Sequence, residues 1–153
     1  MKASILKRRI LLVFLMHLLC LSAAFGQHRP GDLLTSANWD IIGTLNFMER
    51  GNDIYPIFSA ELRQHANKDF ELTGYMIPIR EGLKQSRFLL STLPVNQCFY
   101  CGQNGIPAMI LVEMSEPIKF TYRPVKLKGK LKLKKVNIRD YPPITLGNAG
   151  IPQ

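Results

Sequence analysis

Two cysteines three positions apart, Cys98 and Cys101, are the residues whose types and spacing are best suited to chemistry. A C-x-x-C pair can bind a soft metal ion, cycle between dithiol and disulfide, or form a structural disulfide. Haem attachment needs a histidine directly after the second cysteine, and Gly102 stands there instead. The residues therefore leave three roles open: metal binding, thiol–disulfide exchange and a structural disulfide.

For a metal site, two thiolates supply half of the tetrahedral shell of a zinc ion. His65 is the candidate additional ligand, although a histidine beside the apolar face of a predicted helix is usually only packed there. A carboxylate could complete a zinc site, and a methionine would suit Cu(I). Zinc and copper are therefore the cofactors that the sequence suggests.

Redox catalysis would place the first cysteine at a helix N-terminus, which lowers the pKa of the thiol. Gly102, Gly105 and Pro107 disfavour a helix after the pair. Hydrolytic motifs such as G-x-S-x-G and H-E-x-x-H, and glycine-rich phosphate loops, are not found in the sequence. We therefore expect a non-catalytic binding or accessory domain. A thiol–disulfide redox protein and a structural envelope module with a plain disulfide are the alternatives.

The first 26 residues have the pattern of a secretory signal peptide. A basic head precedes an apolar run over residues 10–21, which is shorter than the roughly 20 residues of a membrane-spanning helix. Ala24 and Gly26 supply the small residues that signal peptidase reads, so we expect cleavage before Gln27. The sequence thus predicts an exported protein, periplasmic or secreted, with no transmembrane span after the signal is removed.

A lipoprotein signal acylated at Cys20 is the alternative for this segment. Acylation signals place a small residue directly before the cysteine, and Leu19 is large. Removal of residues 1–26 would take away four of the 20 basic residues and none of the 11 acidic ones, leaving a net charge of about +5. Because an exported protein rarely meets nucleic acid, we expect no nucleic-acid partner.

The remaining sequence predicts one β-rich domain over residues 37–147, between a flexible leader at 27–36 and a frayed tail at 148–153. Strand patterns, rich in β-branched and aromatic residues, fall at residues 39–47, 70–79, 88–93, 108–114, 118–122, 125–136 and 144–146. Residues 57–66 carry a helical stripe. Within the strand at 70–79, Gly74 suggests the bent first strand of a small barrel. We therefore predict a mainly β, OB-like antiparallel barrel with one flanking helix, and a β-sandwich as the alternative.

Alternation is clearest over residues 125–136, where leucines and valine share one face and five lysines share the other: Lys126, Lys128, Lys130, Lys132 and Lys134. This period-two pattern predicts a strand with one buried face. Gly129 in its centre suggests a sharp bend or a hairpin tip. The lysines are interpreted either as a solvated outer face that prevents edge-to-edge pairing or as a docking face for phosphate, anionic lipid or glycan.

Three segments together resemble a known family: Gly74-Tyr75-Met76-Ile77-Pro78, Phe88-Leu89-Leu90 followed by the cysteine loop, and the apolar strand Met109 to Val112. The family comprises bacterial exported proteins and is a domain of unknown function, with a G-Y-M-x-P strand before a cysteine-bearing loop. The resemblance implies an exported accessory domain, with an envelope transport system of the ABC type as partner and a link to metal handling. Cys101 and Gly102 depart from the family pattern, in which a single cysteine precedes a proline-rich loop.

Overall fold

The computed structural model describes residues 32–95 and 108–152, which form two short helices and seven strands. The described elements are, in chain order, α1 (Ala37–Gly43), β1 (Asn46–Arg50), β2 (Asp53–Ile57), α2 (Ala60–Gln64), β3 (Asp69–Pro78), β4 (Lys84–Ser91), β5 (Met109–Lys119), β6 (Val125–Leu133) and β7 (Ile144–Gly150). The predicted signal peptide with its cleavage site, Cys20, and residues 27–31 of the predicted leader lie outside the described residues.

Strands β3 to β7 close into a barrel in the order β3-β4-β5-β7-β6, and β1 and β2 form a separate two-stranded sheet. Four of the five barrel pairings are antiparallel, and the pairing of β5 with β7 is parallel. The small OB-like barrel that the sequence predicts is therefore confirmed, with one parallel pairing that alternation could not reveal. Closure of the sheet on itself rules out the β-sandwich.

Strand β3 changes its pairing partner at Gly74, the residue at which the sequence suggested a bend. Up to Gly74 it pairs with β6, and from Tyr75 onward it pairs with β4. A Cβ atom on Gly74 would lie 2.6 Å from the Leu90 Cγ and 2.9 Å from the carbonyl oxygen of Ser91. Only glycine fits this close approach, and it allows one strand to serve both neighbours and close the barrel.

Inward-facing side chains from all five barrel strands fill the core, which includes Phe70, Leu72, Met76, Phe88, Leu90, Ile110, Val112, Leu127, Leu131, Ile144, Leu146 and Ala149. In β6 the buried leucines alternate with exposed lysines, so this strand follows the predicted pattern. Burial of these apolar side chains is the main driving force for folding of the barrel.

Residues 37–43 form α1, where the sequence predicted a strand over residues 39–47. The Ser36 hydroxyl caps the helix by accepting a hydrogen bond from the Trp39 backbone amide at 3.2 Å. Trp39 and Ile42, three residues apart, are both buried, and the Trp39 indole donates to the Thr73 carbonyl at 2.9 Å. Cap and packing override the strand preference of the β-branched residues here. Gly43 is the last residue of α1.

The helix predicted over residues 57–66 is present but shorter, as α2, with Ser59 as its N-cap and His65 at its C-cap. The domain therefore has two short helices instead of one. Gly51 and Asn52 form the turn that joins β1 to β2, and residues 53–57 form a strand that the sequence did not suggest. Pairing with β1 stabilises it, and such pairing is not visible in local composition.

Three further boundaries differ from expectation. Strand β5 joins into one strand residues that the sequence divided between two, at 108–114 and 118–122, because Ile118 and Lys119 still pair with β4. Gly129 lies inside β6 at a register shift toward β7 and is not a hairpin tip. A Cβ atom on Gly129 would lie 2.8 Å from the Gly147 carbonyl oxygen, so close strand packing explains this glycine. Strand β7 extends to Gly150, three residues past the predicted end of the domain.

Candidate functional site

Cys98 and Cys101 lie outside the described residues, in the connection between β4 and β5. The structure shows how the two ends of that connection are held. The backbone amide of Thr92 donates to the carbonyl oxygen of Ala108 at 3.2 Å, and the Ser91 hydroxyl accepts from the Leu93 amide at 3.0 Å. The barrel therefore fixes the base of the cysteine loop, and the role of the cysteines stays a prediction.

His65 lies at the end of α2, half-buried, with its ring packed edge-on against Phe70 at 5.3 Å between ring centroids. Within residues 32–95 and 108–152, no group of three His, Asp, Glu or Cys side chains is close enough to hold a metal ion. Packing on Phe70 is the contact that the structure gives His65, which agrees with the histidine as a side chain bordering the core.

Three of the five predicted lysines pair with acidic residues on the neighbouring strand β3. The Nζ of Lys126 lies 2.8 Å from Glu71, and the Nζ atoms of Lys128 and Lys130 lie 3.5 and 2.6 Å from Asp69. The hydrogen bond and charge of Lys130, followed by those of Lys128, hold the pKa of Asp69 below its usual range. We call these five residues the β3–β6 charge ladder. Its positive charge is largely balanced within the barrel.

The solvated-face interpretation of the lysines fits this arrangement, but its edge-protection part is wrong. β6 pairs with β3 on one side and with β7 on the other, so β6 has no unpaired edge to protect.

Lys132 and Lys134 belong to a different group, centred on Glu113 of β5. The Nζ of Lys132 and the Nε of Arg87 lie 3.8 and 3.9 Å from the Glu113 carboxylate. The Tyr141 hydroxyl donates to Glu113 at 3.0 Å. Lys134 Nζ lies 3.8 Å from the centroid of the Tyr141 ring. We call these five residues the Glu113 cluster.

Gly147 of β7 allows Lys132 to reach Glu113, because β7 lies between β6 and β5 in the barrel. A Cβ atom on Gly147 would overlap the Lys132 Cε and Nζ atoms. The lysine side chain therefore lies across the backbone of β7 at this position. Because Gly147 has no side chain, the ammonium group of Lys132 can lie over β5. The glycine therefore helps to position this charge.

The connection between β6 and β7, which carries Tyr141, is held on several sides. The amide of Lys134 donates to the carbonyl of Pro143 at 2.8 Å and closes the base of the connection. Asn137 donates to Asp53 of the β1–β2 hairpin at 2.8 Å, and the amide of Ile138 donates to the carbonyl of Ile54 at 2.9 Å. Tyr141 is therefore presented by a fixed loop, which favours a defined site.

The Glu113 cluster has an excess of positive charge. It contains three cationic side chains and one carboxylate, so its formal net charge is about +2. The Nε of Arg87 is buried and has no hydrogen-bond partner within the described part of the chain. The guanidinium also lies 5.4 Å from the centroid of the Tyr141 ring. A buried N–H donor beside surplus positive charge can donate a hydrogen bond to an anionic ligand.

Sequence reasoning found only part of this cluster. Lys132 and Lys134 stand out from the alternating pattern, whereas Arg87, Glu113 and Tyr141 are separated by more than 20 residues each and carry no local motif. Arg87 and Glu113 are directly opposite on paired strands. The available signal was a single charged residue, Arg87 or Glu113, beside or within an otherwise apolar strand pattern. Such a residue does not identify the strand that pairs with it.

None of the helices in the described ranges has the length and apolar character needed to cross a membrane. Comparisons with protein-family models, with curated proteins and with solved structures find no match for this chain.

Proposed function

We propose that this chain is a non-catalytic binding domain of an exported protein and that the Glu113 cluster holds an anionic group of its ligand, a phosphate or a carboxylate. The observation that carries this proposal is the convergence of Arg87, Lys132 and Lys134 on one carboxylate and one aromatic ring. These residues come from β4, β6 and the β6–β7 connection, so the cluster exists only in the folded barrel.

The location of the cluster supports a binding role. In OB-like barrels, ligands bind on the face of the second and third barrel strands and on adjacent loops. Here those strands are β4 and β5, which supply Arg87 and Glu113, and the loop between the fourth and fifth barrel strands supplies Tyr141. The similarity to OB-like barrels supports the position of the site and does not identify its ligand.

The chemistry of the cluster suits exchange of one carboxylate for another anion. Glu113 neutralises part of the charge while the site is empty of ligand. Arg87 and Lys132 both lie nearly 4 Å from it, beyond hydrogen-bond distance. A phosphate or carboxylate arriving between them can form the shorter charge-assisted hydrogen bonds that Glu113 does not make. The exposed position predicts weak to moderate affinity.

A titration of ¹⁵N-labelled protein with inorganic phosphate at constant ionic strength tests the proposal by NMR. We expect saturable shifts of the Arg87 Nε–H signal and of the backbone amides of Glu113 and Tyr141. Lys132→Gln should weaken phosphate binding about threefold, since one surface ammonium contributes up to about 1 kcal/mol.

Lys128→Gln is the matched control, because it removes the same charge from the same strand within the β3–β6 charge ladder. It should leave phosphate binding unchanged. Shifts that fail to saturate, or equal effects of the two substitutions, would show general electrostatic attraction and refute a site at the Glu113 cluster.

Transition-metal handling by Cys98 and Cys101, with zinc or copper as the metal, is the second part of the proposal, and its support is the C-x-x-C spacing in an exported chain. Intact mass spectrometry of protein recovered after export tests it. A mass starting at Gln27 supports cleavage, and a metal adduct lost on thiol alkylation supports metal binding. A disulfide stable to mild reductant points to the structural alternative. Rapid equilibration with glutathione points to a redox protein.

A further inference from the structure

Two loops at one end of the barrel expose apolar side chains to solvent. They are the β3–β4 connection and the β5–β6 connection, and with the strand ends beside them they comprise residues 79–84 and 119–124, which we call the loop end. Leu83 is 80% exposed, Tyr122 is 75% exposed and Ile79 is 44% exposed. Clustered exposure of large apolar side chains is unfavourable in water and marks an interaction surface.

The loop end is built and held in shape. The buried side-chain amide of Gln85 donates to the carbonyl oxygens of Gly82 at 2.6 Å and of Arg80 at 3.2 Å. The backbone amide of Phe120 donates to the carbonyl of Leu83 at 2.9 Å and joins the two loops. The backbone of Leu83 is thus fixed from both sides while its side chain points to solvent.

An aromatic pair and a depression complete the surface. The ring of Tyr122 packs edge-on against Phe120, with 4.9 Å between the centroids. Phe120 also lines a depression of about 380 Å³ together with the β3–β4 connection. Leucine and tyrosine side chains exposed at loop tips are suited to the boundary between hydrocarbon and headgroups, where a ring can bury its face and keep its hydroxyl wet.

Positive charge surrounds these apolar residues. Residues 79–84 and 119–124 contain four basic side chains and one acidic side chain: Arg80, Lys84, Lys119, Arg123 and Glu81. Among the described residues, no salt bridge involves any of these five. Lys84 and Lys119 are even paired directly opposite each other on β4 and β5. Like charges at paired positions disfavour folding, so an external anionic partner accounts for this arrangement better than stability does.

We infer that the loop end docks on an anionic lipid surface, with Leu83 and Tyr122 entering the headgroup region and the four basic residues lying against lipid phosphates. Exposed apolar side chains combined with Lys and Arg are the pattern of interfacial membrane binding. Protein–protein interfaces are depleted in lysine, and a second copy of this end would meet it with like charge. The loop end and the Glu113 cluster share no residue, so the two sites can fail separately.

Tryptophan probes introduced beside the native Trp39 test the contact directly on protein recovered after export. Leu83→Trp should shift its emission to shorter wavelength on vesicles of phosphatidylcholine containing phosphatidylglycerol, and much less on phosphatidylcholine alone. The native Trp39 is buried and supplies a constant background. Phe47→Trp is the matched control, since Phe47 is 51% exposed on β1, away from the loop end.

Charge removal tests the electrostatic part. The double substitution Lys84→Gln with Lys119→Gln should lower the partition coefficient onto anionic vesicles about thirtyfold, since each basic residue near such a surface contributes about 1 kcal/mol. Lys126→Gln with Lys128→Gln removes the same net charge from the β3–β6 charge ladder and should change the partition coefficient little.

Three results would overturn the inference. The first is an unchanged Leu83→Trp emission on anionic vesicles. The second is an equal emission shift for Phe47→Trp, or an equal loss of binding in both double variants. The third is a change in sedimentation mass caused by Leu83→Glu, which would show that the loop end is an interface between protein chains.

Discussion

The β3–β6 charge ladder and the loop end both expose several basic side chains, but their surroundings differ. On β6, lysines that alternate in the sequence face Asp69 and Glu71 of the adjacent strand, within 2.6 to 3.5 Å. At the loop end, basic residues that are scattered in the sequence meet exposed leucine and tyrosine and, within the described residues, engage in no salt bridge. A conspicuous run of charge in a sequence is therefore a poor guide to where unbalanced charge lies.

The Glu113 cluster is intermediate between these two regions in how far its positive charge is balanced. It shares Lys132 with the alternating strand, yet it keeps an excess of positive charge because it contains three cations and a single carboxylate. Gly147 determines this difference, because it lets one lysine of the alternating row cross β7 and leave the row. One strand, β6, thus contributes lysines both to the largely balanced β3–β6 charge ladder and to the positively charged Glu113 cluster.

The largest expected effect comes from breaking the barrel that carries both regions. Gly74→Ala should lower the free energy of unfolding by about 3 kcal/mol, because its Cβ atom would press on Leu90 and on the Ser91 carbonyl where β3 changes partner. Chemical denaturation followed by circular dichroism measures this loss. Gly43→Ala is the control, since a Cβ atom there would have nothing within 4 Å. Equal stability of the two variants would contradict the close approach of Gly74 to Leu90 and Ser91.

A smaller loss is expected at the loop end alone. Gln85→Met should lower the free energy of unfolding by about 1 to 2 kcal/mol, because two carbonyl oxygens lose their donor. Hydrogen exchange at the Phe120 amide, which donates to the Leu83 carbonyl, should accelerate, while exchange in β6 stays as in the native protein. Ser86→Ala, at the exposed neighbouring position, serves as the control. Unchanged exchange at Phe120 would show that Gln85 does not hold the loop.

Opposite signs are expected when a lysine is replaced by glutamate in the two regions. Lys84→Glu should raise the free energy of unfolding by about 0.5 kcal/mol, because it converts an opposed pair of lysines into a pair of opposite charges. Lys128→Glu should lower it, since the new carboxylate would lie opposite Glu71 on β3. Thermal unfolding of both variants at low salt measures the difference. A shift of the same sign in both would contradict the contrast between balanced and unbalanced charge.

The smallest effect concerns pH. Lys130 lowers the pKa of Asp69 in the folded protein, so the stability from this pair is present above about pH 4 and is lost as the pH falls through the lowered pKa. Asp69→Asn should therefore lose less stability on acidification than the native protein. Unfolding measured across the acid range checks this, and high salt should reduce the difference. If both proteins lost the same stability on acidification, the β3–β6 charge ladder would contribute nothing to the stability of the folded protein.

Much of the barrel could be predicted from the sequence because its strands carry their own pattern. Alternation over β6, the apolar cores of β4 and β5, and Gly74 in β3 all indicate strands before any partner is known. The strand predicted at residues 39–47 was wrong because the Ser36 cap and the packing of Trp39 favour a helix. The hairpin strand β2 was missed because pairing with β1, and not composition, stabilises it.

The candidate sites were less accessible to sequence reasoning. Five lysines were identified, but the acidic partners that divide them lie on β3 and β5, more than 10 residues away in sequence. The loop end was not predicted from the sequence, because its basic and apolar residues are divided between two connections about 40 positions apart.

Local sequence by itself determined where the barrel strands β3 to β7 lie and which side of β6 is wet, since side-chain alternation acts within a few residues. Only the tertiary structure decided which charges are neutralised, because an ion pair depends on strands that become neighbours when the barrel closes. The parallel pairing of β5 with β7 brings Lys132 across Gly147 to Glu113, and the pairing of β4 with β5 leaves Lys84 facing Lys119. Distance in space, and not spacing in sequence, sets the strength of a charge interaction.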